Sequence, residues 1–244
     1  MKRIGYLGPR GTFSHEAMKK YTGQVPYISR DYPTIPDIFA AMQDGQLDEA
    51  IVPIENSIEG AVNVTMDMMT RENGLWIRAE VVIPVREHLL VKKGSDISKI
   101  RTVLSHPQPL GQCRRFLAEN LPDAAIKTTH STAAAAGEVA AGTGDMAAIG
   151  SRAAAEAYDL EILREDIQDH DSNFTRFIVL GGSDAVRTGN DKTSLIFSTE
   201  DKPGSLYRIL EIFNLWDINM TRIESRPARS GLGRYIFFVD VLGH

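Results

Sequence analysis

Ile4-Gly5-Tyr6-Leu7 is an apolar run that breaks into Gly8-Pro9-Arg10-Gly11-Thr12-Phe13-Ser14, and His15-Glu16-Ala17-Met18-Lys19-Lys20-Tyr21 follows with helical spacing. The reading is strand, small polar loop, helix, and the same plan returns three times. Ala50-Ile51-Val52-Pro53 runs into Ile54-Glu55-Asn56-Ser57 and a helical pattern from about Gly60 to Arg71. Arg101-Thr102-Val103-Leu104 runs into Ser105-His106-Pro107-Gln108 and a helix from Leu110 to Glu119. Asp145-Met146-Ala147-Ala148-Ile149 runs into Gly150-Ser151 and a helix from Arg152 to Tyr158. Strands alternating with helices predict an α/β fold. In open α/β sheets ligands sit beyond the carboxyl ends of the strands, where these four loops fall. Helix N-termini carry free N–H groups and partial positive charge, so two of them converging on one cleft would hold a carboxylate or phosphate.

Between these units, Asp37 to Leu47 reads as a helix with Ile38, Phe39, Ala41 and Met42 on its apolar face. Ile77 to Val91 is strand-rich and broken by Pro84, and Ser131 to Ala141 is an Ala-rich helix opened by a Ser or Thr cap. Gly8-Pro9-Arg10-Gly11 is no phosphate-binding loop, because no Gly-Lys-Ser/Thr closes it. Residues 182–191 are polar, glycine-bearing and aperiodic, and read as a linker. A second unit, 192–244, follows in β-α-β-β order: a strand from Thr193 to Thr199, a helix opened by Pro203-Gly204-Ser205 and running to about Trp216, a strand from Ile218 to Ser225, a turn-rich stretch from Arg226 to Gly233, and a strand from Arg234 to Val241.

A chain of 244 residues suits two modest domains, and 43% hydrophobic with 24% charged residues is the balance of a soluble globular protein. The net charge of -5 is spread without blocks, which argues against a nucleic-acid partner. The single cysteine, Cys113, excludes an intramolecular disulfide and a cysteine-based metal site; it reads as a small buried side chain on a helix. The N-terminal residues lack the apolar core of a signal peptide, no stretch is long enough to span a bilayer, and a reducing cytoplasm is the expected setting.

Ser172-Asn173-Phe174-Thr175-Arg176-Phe177 places an amide, a hydroxyl and a guanidinium within four residues, just before the strand-like Phe177-Ile178-Val179-Leu180. It reads either as a polar strand start with a surface arginine or as an anion site with a hydroxyl donor beside it. If the strand begins early, Asn173, Thr175 and Phe177 face one way and Arg176 the other, unless the backbone bends.

Four motifs in order resemble the prephenate dehydratase family over nearly the whole chain. They are Gly8-Pro9-Arg10-Gly11-Thr12-Phe13-Ser14, Pro53-Ile54-Glu55-Asn56-Ser57-Ile58-Glu59-Gly60, Ser105-His106-Pro107-Gln108 with Gln112-Cys113, and Asn173-Phe174-Thr175-Arg176-Phe177. The second unit resembles an ACT regulatory domain, through Pro203-Gly204-Ser205-Leu206 and Glu224-Ser225-Arg226-Pro227. Ser205 stands where that family usually has alanine. The resemblance implies a two-lobed catalytic domain like type 2 periplasmic binding proteins over 1–181. Lobe 1 would take about 1–80 and 165–181, and lobe 2 about 81–164. The linker and a ferredoxin-like α+β ACT domain would follow. The ACT pattern is β-α-β-β-α-β, so the unit as read lacks its last helix and strand and bares a sheet edge. That is read as truncation or natural shortening, and the start of the chain at the dehydratase motif resembles the monofunctional form.

The implied activity is that of a carbon–oxygen lyase. Prephenate would lose CO2 and its ring hydroxyl to give phenylpyruvate for phenylalanine biosynthesis, with no cofactor or metal required. Arg176 is then the expected anion clamp. Thr175 is the donor to the departing hydroxyl, and Asn56 and Ser57 with Thr12 and Ser14 bring helix N–H groups to the other anion. Glu55 is either the acid or a loop carboxylate paired with a base. His106 is either a proton donor or a wall residue, and Ser57 and Ser151 are nucleophiles or helix caps. Gln108 and Asn173 are neutral donors, and Phe177 either belongs to the core or borders the substrate ring. The implied effector, phenylalanine, would lie between ACT domains of a homodimer or homotetramer. It would touch Gly204, Ser205 and Leu206 of one subunit, and Asn219, Glu224, Ser225, Arg226 and Pro227 of a neighbour. Arogenate dehydratase shares these motifs and stays open. So does an inactive carboxylate-binding sensor, whereas the related decarboxylase is expected to lack the Thr-Arg-Phe motif.

Overall fold

The computed structural model describes residues 1–71, 74–228 and 234–244, and the chain divides into two compact units, Met1–Asp184 and Ala185–His244. The first unit opens with β1 (Lys2–Leu7), α1 (Phe13–Thr22), β2 (Tyr27–Tyr32), α2 (Ile35–Gln43), β3 (Glu49–Asn56), β4 (Gly60–Ala61), α3 (Asn63–Met69) and β5 (Trp76–Pro84). The chain then crosses to β6 (His88–Val91), β7 (Thr102–Ser105), α4 (Pro107–Gln112), α5 (Arg114–Asn120), β8 (Ala125–Thr128), α6 (Thr132–Ala141), β9 (Met146–Gly150), α7 (Arg152–Ala157) and β10 (Glu161–Arg164). It returns as β11 (Phe174–Gly181). Two sheets result, one per lobe. The first has the order β2-β1-β3-β11-β5 with β4 beside β3, and the second β10-β6-β9-β7-β8. β1 pairs in parallel with β2 and β3, whereas the returning β11 is antiparallel to both β3 and β5. The chain therefore passes between lobes twice, at 85–87 and at 165–173, and the first sheet keeps it through Pro84, a few residues past the expected change of lobe.

Each sheet is covered on both faces, as the near-continuous apolar strands require. On the first, α2 and α3 pack over Ala50, Val52, Ile178 and Leu180, while α1 covers Ile4, Tyr6, Ile51, Phe177 and Val179 on the other face. Burial of a side chain such as Ile38 or Phe39 contributes about 1.5–3 kcal/mol. On the second sheet, Ala135, Ala136, Ala154 and Ala155 close in on Leu90 and Leu104. Their small side chains are what let α6 and α7 lie near the strands.

Four boundaries differ from the sequence reading. α2 begins at Ile35 and ends at Gln43, because Thr34 caps it by accepting from the Asp37 N–H and Gly45 turns the chain at φ 65°. β3 continues through Ile54, Glu55 and Asn56, expected as loop, since β11 pairs Thr175 with Asn56 and Arg176 with Glu55. The helix expected from Gly60 starts only at Asn63, Gly60–Ala61 being spent on pairing with β3. The helix expected from Leu110 to Glu119 is two helices that break at Cys113. β8 and β10 were not legible, because edge strands this short and exposed carry no apolar run.

The second unit contains β12 (Lys192–Ser198), α8 (Ser205–Leu215), β13 (Met220–Pro227) and β14 (Tyr235–Leu242), with the antiparallel sheet order β12-β14-β13. The predicted turn between the last two strands falls partly on residues 229–233, outside the described residues. No helix among the described residues is long and apolar enough to cross a membrane.

Candidate active site

Strict strand alternation governs β11. Phe177 and Val179 belong to the core beneath α1, Ile178 and Leu180 to the core beneath α2 and α3. Thr175 therefore shares the α1 face and Arg176 the opposite one. The register of β11 on β3 shifts between Arg176 and Phe177, so an irregularity is present there, but it does not bring both side chains to one face. Arg176 instead joins Glu55 at 3.0 Å and Glu80 at 3.3 Å, tying three neighbouring strands together. The guanidinium expected as an anion clamp is here shared between two carboxylates and is not among the residues lining the cleft. Glu55 is placed with it, paired to the guanidinium.

Thr175 is held by Asn56. The Asn56 Nδ2 donates to Thr175 Oγ1 at 2.9 Å, to Asn173 Oδ1 at 2.8 Å and to the Phe174 carbonyl at 3.2 Å. Its Oδ1 in turn accepts from the Ile58 and Glu59 N–H groups. Asn173, 2% exposed, donates from Nδ2 to Gln112 Oε1 at 3.1 Å, extending the chain of bonds to the second lobe. Because Thr175 Oγ1 accepts from Asn56, its own hydrogen is left to donate elsewhere. Ser57 locks the turn, donating to the Ser172 carbonyl at 2.8 Å and accepting from the Phe174 N–H at 2.9 Å.

A cleft of about 760 Å³ opens between the lobes of the first unit, with Thr175 and Asn56 in its wall. Two eight-plus-residue helices present their first turns to it, α1 through Thr12 and Phe13 and α6 through Ser131 and Thr132. Thr12 and Ser131 both cap by accepting an N–H three residues on. His106 and Gln108 also line it. His106 caps α4 by accepting the Gln108 N–H on Nδ1, which places the neutral ring's proton on Nε2. No Lys or Arg lines the cleft among the described residues, so an anion there depends on helix N–H groups, imidazoles and amides.

Four buried side-chain atoms among the described residues lack a hydrogen-bond partner, and three of them belong to cleft residues: Tyr32 Oη, Gln112 Nε2 and Glu87 Oε2. A buried polar group without a partner costs about 1–3 kcal/mol, so three around one cleft mark it as built for a polar ligand. Burial pushes the Glu87 carboxyl up to about 8, with Glu16 adding to the rise. These three residues and His130 were not among the expected site residues. Gln112 stands in the third motif; Tyr32 and Glu87 are singled out only by burial, and His130, which is exposed, only by its place in the cleft wall.

Several expected residues lie outside the cleft wall. Ser14 is buried in the first turn of α1. Ser151 is a cap and a fastener, accepting from the Ala154 N–H and donating to the Gly11 carbonyl at 2.9 Å. Gly11, at φ 92°, lets α7 come this near, since a Cβ there would meet Ala154 Cα at 3.0 Å. Phe177, 1% exposed, is a core residue and borders no ligand space.

In the second unit a hollow of about 310 Å³ is lined by Gly204, Ser205 and Leu206 at the start of α8, facing Tyr235 and Phe237 of β14. Gly204 caps the helix at φ 80°. Asn219 precedes β13, and Glu224, Ser225, Arg226 and Pro227 lie on it opposite Phe238 to Tyr235; none of the five lines the hollow of its own chain.

Residues 4–185 match the prephenate dehydratase family model, and residues 193–244 match the ACT domain. A prephenate dehydratase of Methanocaldococcus jannaschii is 41% identical over 98% of this chain and 88% of that protein. A bifunctional chorismate mutase/prephenate dehydratase of Aquifex aeolicus is 42% identical over 99% of this chain, which spans only 66% of that protein's length. Among solved structures, a prephenate dehydratase of Arthrobacter aurescens in complex with L-Phe superposes with a TM-score of 0.89 at 35% identity, covering 99% of this chain and 80% of that one.

Proposed function

The chain belongs to the prephenate dehydratase family, and from that premise we propose that the cleft converts prephenate to phenylpyruvate, CO2 and water. The observation that carries this reading is the Thr175 hydroxyl, fixed in the cleft wall by Asn56 with its hydrogen left to donate. Prephenate brings two carboxylates and a ring hydroxyl. The carboxylates meet the first turns of α1 and α6, with Gln108, Gln112, Tyr32 and the imidazole of His106 as further donors. Thr175 donates to the ring oxygen as its bond to carbon breaks. The electrons of the bond to the ring carboxyl move into the ring as CO2 leaves, and aromatisation drives the step. Asn173 and Ser57 act behind this wall as positioning residues. Residues 1–181 are the catalytic domain in this reading, 182–191 the linker and 192–244 the regulatory domain, in an enzyme of the cytoplasm.

Incubation with prephenate at neutral pH, with phenylpyruvate followed by its absorbance in base, tests the proposal; product no faster than the uncatalysed background ends it. Parallel assays with arogenate settle which of the two substrates is preferred. Arg176→Gln separates the strap from the clamp. Loss of the pairs with Glu55 and Glu80, both partly exposed, is expected to lower stability by about 1–2 kcal/mol. The KM for prephenate should stay within about twofold, and a tenfold rise would return Arg176 to the substrate.

The second unit supports control by phenylalanine. Gly204, Ser205 and Leu206 of one copy would meet Asn219 and Glu224–Pro227 of another in a homo-oligomer, joining the two half-sites that a single chain keeps apart. Calorimetry with millimolar phenylalanine is expected to show binding, and activity should respond through a coupling of about 1–3 kcal/mol.

A further inference from the structure

We propose that Glu87 is a catalytic acid of this cleft, giving its proton to the ring hydroxyl as that group departs. The inference rests on the dehydratase reading above and goes further by naming the source of the proton. Glu87 lies on the first of the two crossings between lobes, between Pro84 at the end of β5 and His88 at the start of β6. Its backbone is pinned to the second crossing: the Glu87 N–H donates to Gln168 Oε1 at 3.0 Å, and its carbonyl accepts from the Ile167 N–H at 2.8 Å. Two residues earlier the Val85 N–H donates to the Asn173 carbonyl, in the segment that carries Thr175. Glu87 is 1% exposed and is among the residues lining the cleft, and its buried Oε2 has no hydrogen-bond partner among the described residues.

A carboxyl so placed stays protonated. The neighbouring Arg86 gives its guanidinium to Asp171 at 2.6 Å. From α1, Glu16 faces Glu87 with a like charge; from the α4–α5 junction, Cys113 is a thiol that burial keeps neutral, with Asp169 beyond it. The remaining titratable groups of the cleft wall are Asp31, Tyr32, Glu59, His106 and His130. Burial first and Glu16 second hold the carboxyl up at about 8, so at neutral pH it carries the proton that the reaction consumes. Thr175 lacks that capacity, since a threonine hydroxyl orients well but is far too weak an acid to be the net source.

The step balances with one proton. The ring C–O bond breaks and its electron pair goes to oxygen, which takes the Glu87 proton and leaves as water. The bond to the ring carboxyl supplies the electrons that aromatise the ring, CO2 departs, and phenylpyruvate remains. Glu87, now a carboxylate, regains a proton from solvent when the cleft empties.

The test is Glu87→Gln, which keeps shape and hydrogen bonding and removes the proton. In the unaltered enzyme kcat on prephenate is expected to fall as pH rises through about 8, because the acid form is lost. In Glu87→Gln kcat should drop about a hundredfold with KM changed little, the alkaline fall should vanish, and Glu87→Asp should restore part of the rate. Stability provides a reading independent of turnover. The folded carboxyl binds its proton more tightly than the unfolded one, so between about 4.5 and 8 the unaltered protein loses stability as pH rises, and above that the loss levels off. The thermal midpoint of Glu87→Gln minus that of the unaltered protein should therefore climb across that window. A flat difference, or Glu87→Gln within threefold of full kcat with its alkaline fall intact, overturns the assignment. If the unaltered enzyme itself fails to turn over prephenate, the dehydratase reading falls, whereas normal turnover in both proteins sinks only the role of Glu87.

Discussion

Thr175→Ala is expected to lower kcat on prephenate by about a hundredfold to a thousandfold while KM moves little. The magnitude is that of deleting one pre-aimed donor to a developing negative charge, about 2.7–4 kcal/mol. The split between kcat and KM follows from timing. The ring oxygen gains negative charge only as its bond to carbon breaks, so the hydrogen bond from Thr175 is strongest in the transition state and weak in the bound substrate. The geometry supports this assignment specifically. Oγ1 is oriented from behind by Asn56 at 2.9 Å, and Asn56 is itself held by the Ile58 and Glu59 N–H groups. Thr175→Ser keeps that bond and should retain most of the rate. Steady-state kinetics on the three proteins checks the prediction; a raised KM with kcat preserved would make Thr175 a binding residue instead.

Phe177→Ala should cost about 3–5 kcal/mol of stability, the range for emptying a buried aromatic site. For a unit of this size that is roughly 6–20 °C in thermal midpoint. Phe177 is packed among Ile4, Tyr6, Met18, Ile51 and Val81 under α1. Phe177→Leu, which loses less volume, should melt between the two and keep the KM for prephenate. Were the ring instead part of the substrate wall, Phe177→Leu would raise KM while the midpoint barely moved, so calorimetry and kinetics on the same two variants decide the matter.

These two residues show how far a sequence carries the argument. Thr175, Arg176 and Phe177 are adjacent, and their chemistry alone makes each a candidate for the same site. Alternation along a strand separates them, but which face meets the cleft depends on what packs there. α1 seals Phe177 in while the lobes leave Thr175 at the edge, and Glu55 and Glu80 meet Arg176 on the other side. The helix-capping roles of Ser151 and Ser131 were legible, because a Ser or Thr before an apolar helical run is a local signal. The closeness of Ser151 to Gly11 was not, since they stand 140 positions apart in the chain.

The sequence by itself determined the strand-loop-helix repeats, the division near the linker, and the motif residues Asn56 and Thr175 that the fold brings within hydrogen-bonding distance. Those features follow from periodicity and local chemistry, which the order of residues contains. Only the tertiary structure decided that Arg176 pairs with Glu55 and Glu80 across the sheet, that the first turn of α6 shares the cleft with that of α1, and that Glu87 is buried with its Oε2 lacking a hydrogen-bond partner among the described residues. Burial and the lack of a partner are properties of what surrounds a side chain, and for Glu87 the surroundings come from α1, the α4–α5 junction and the second crossing between lobes.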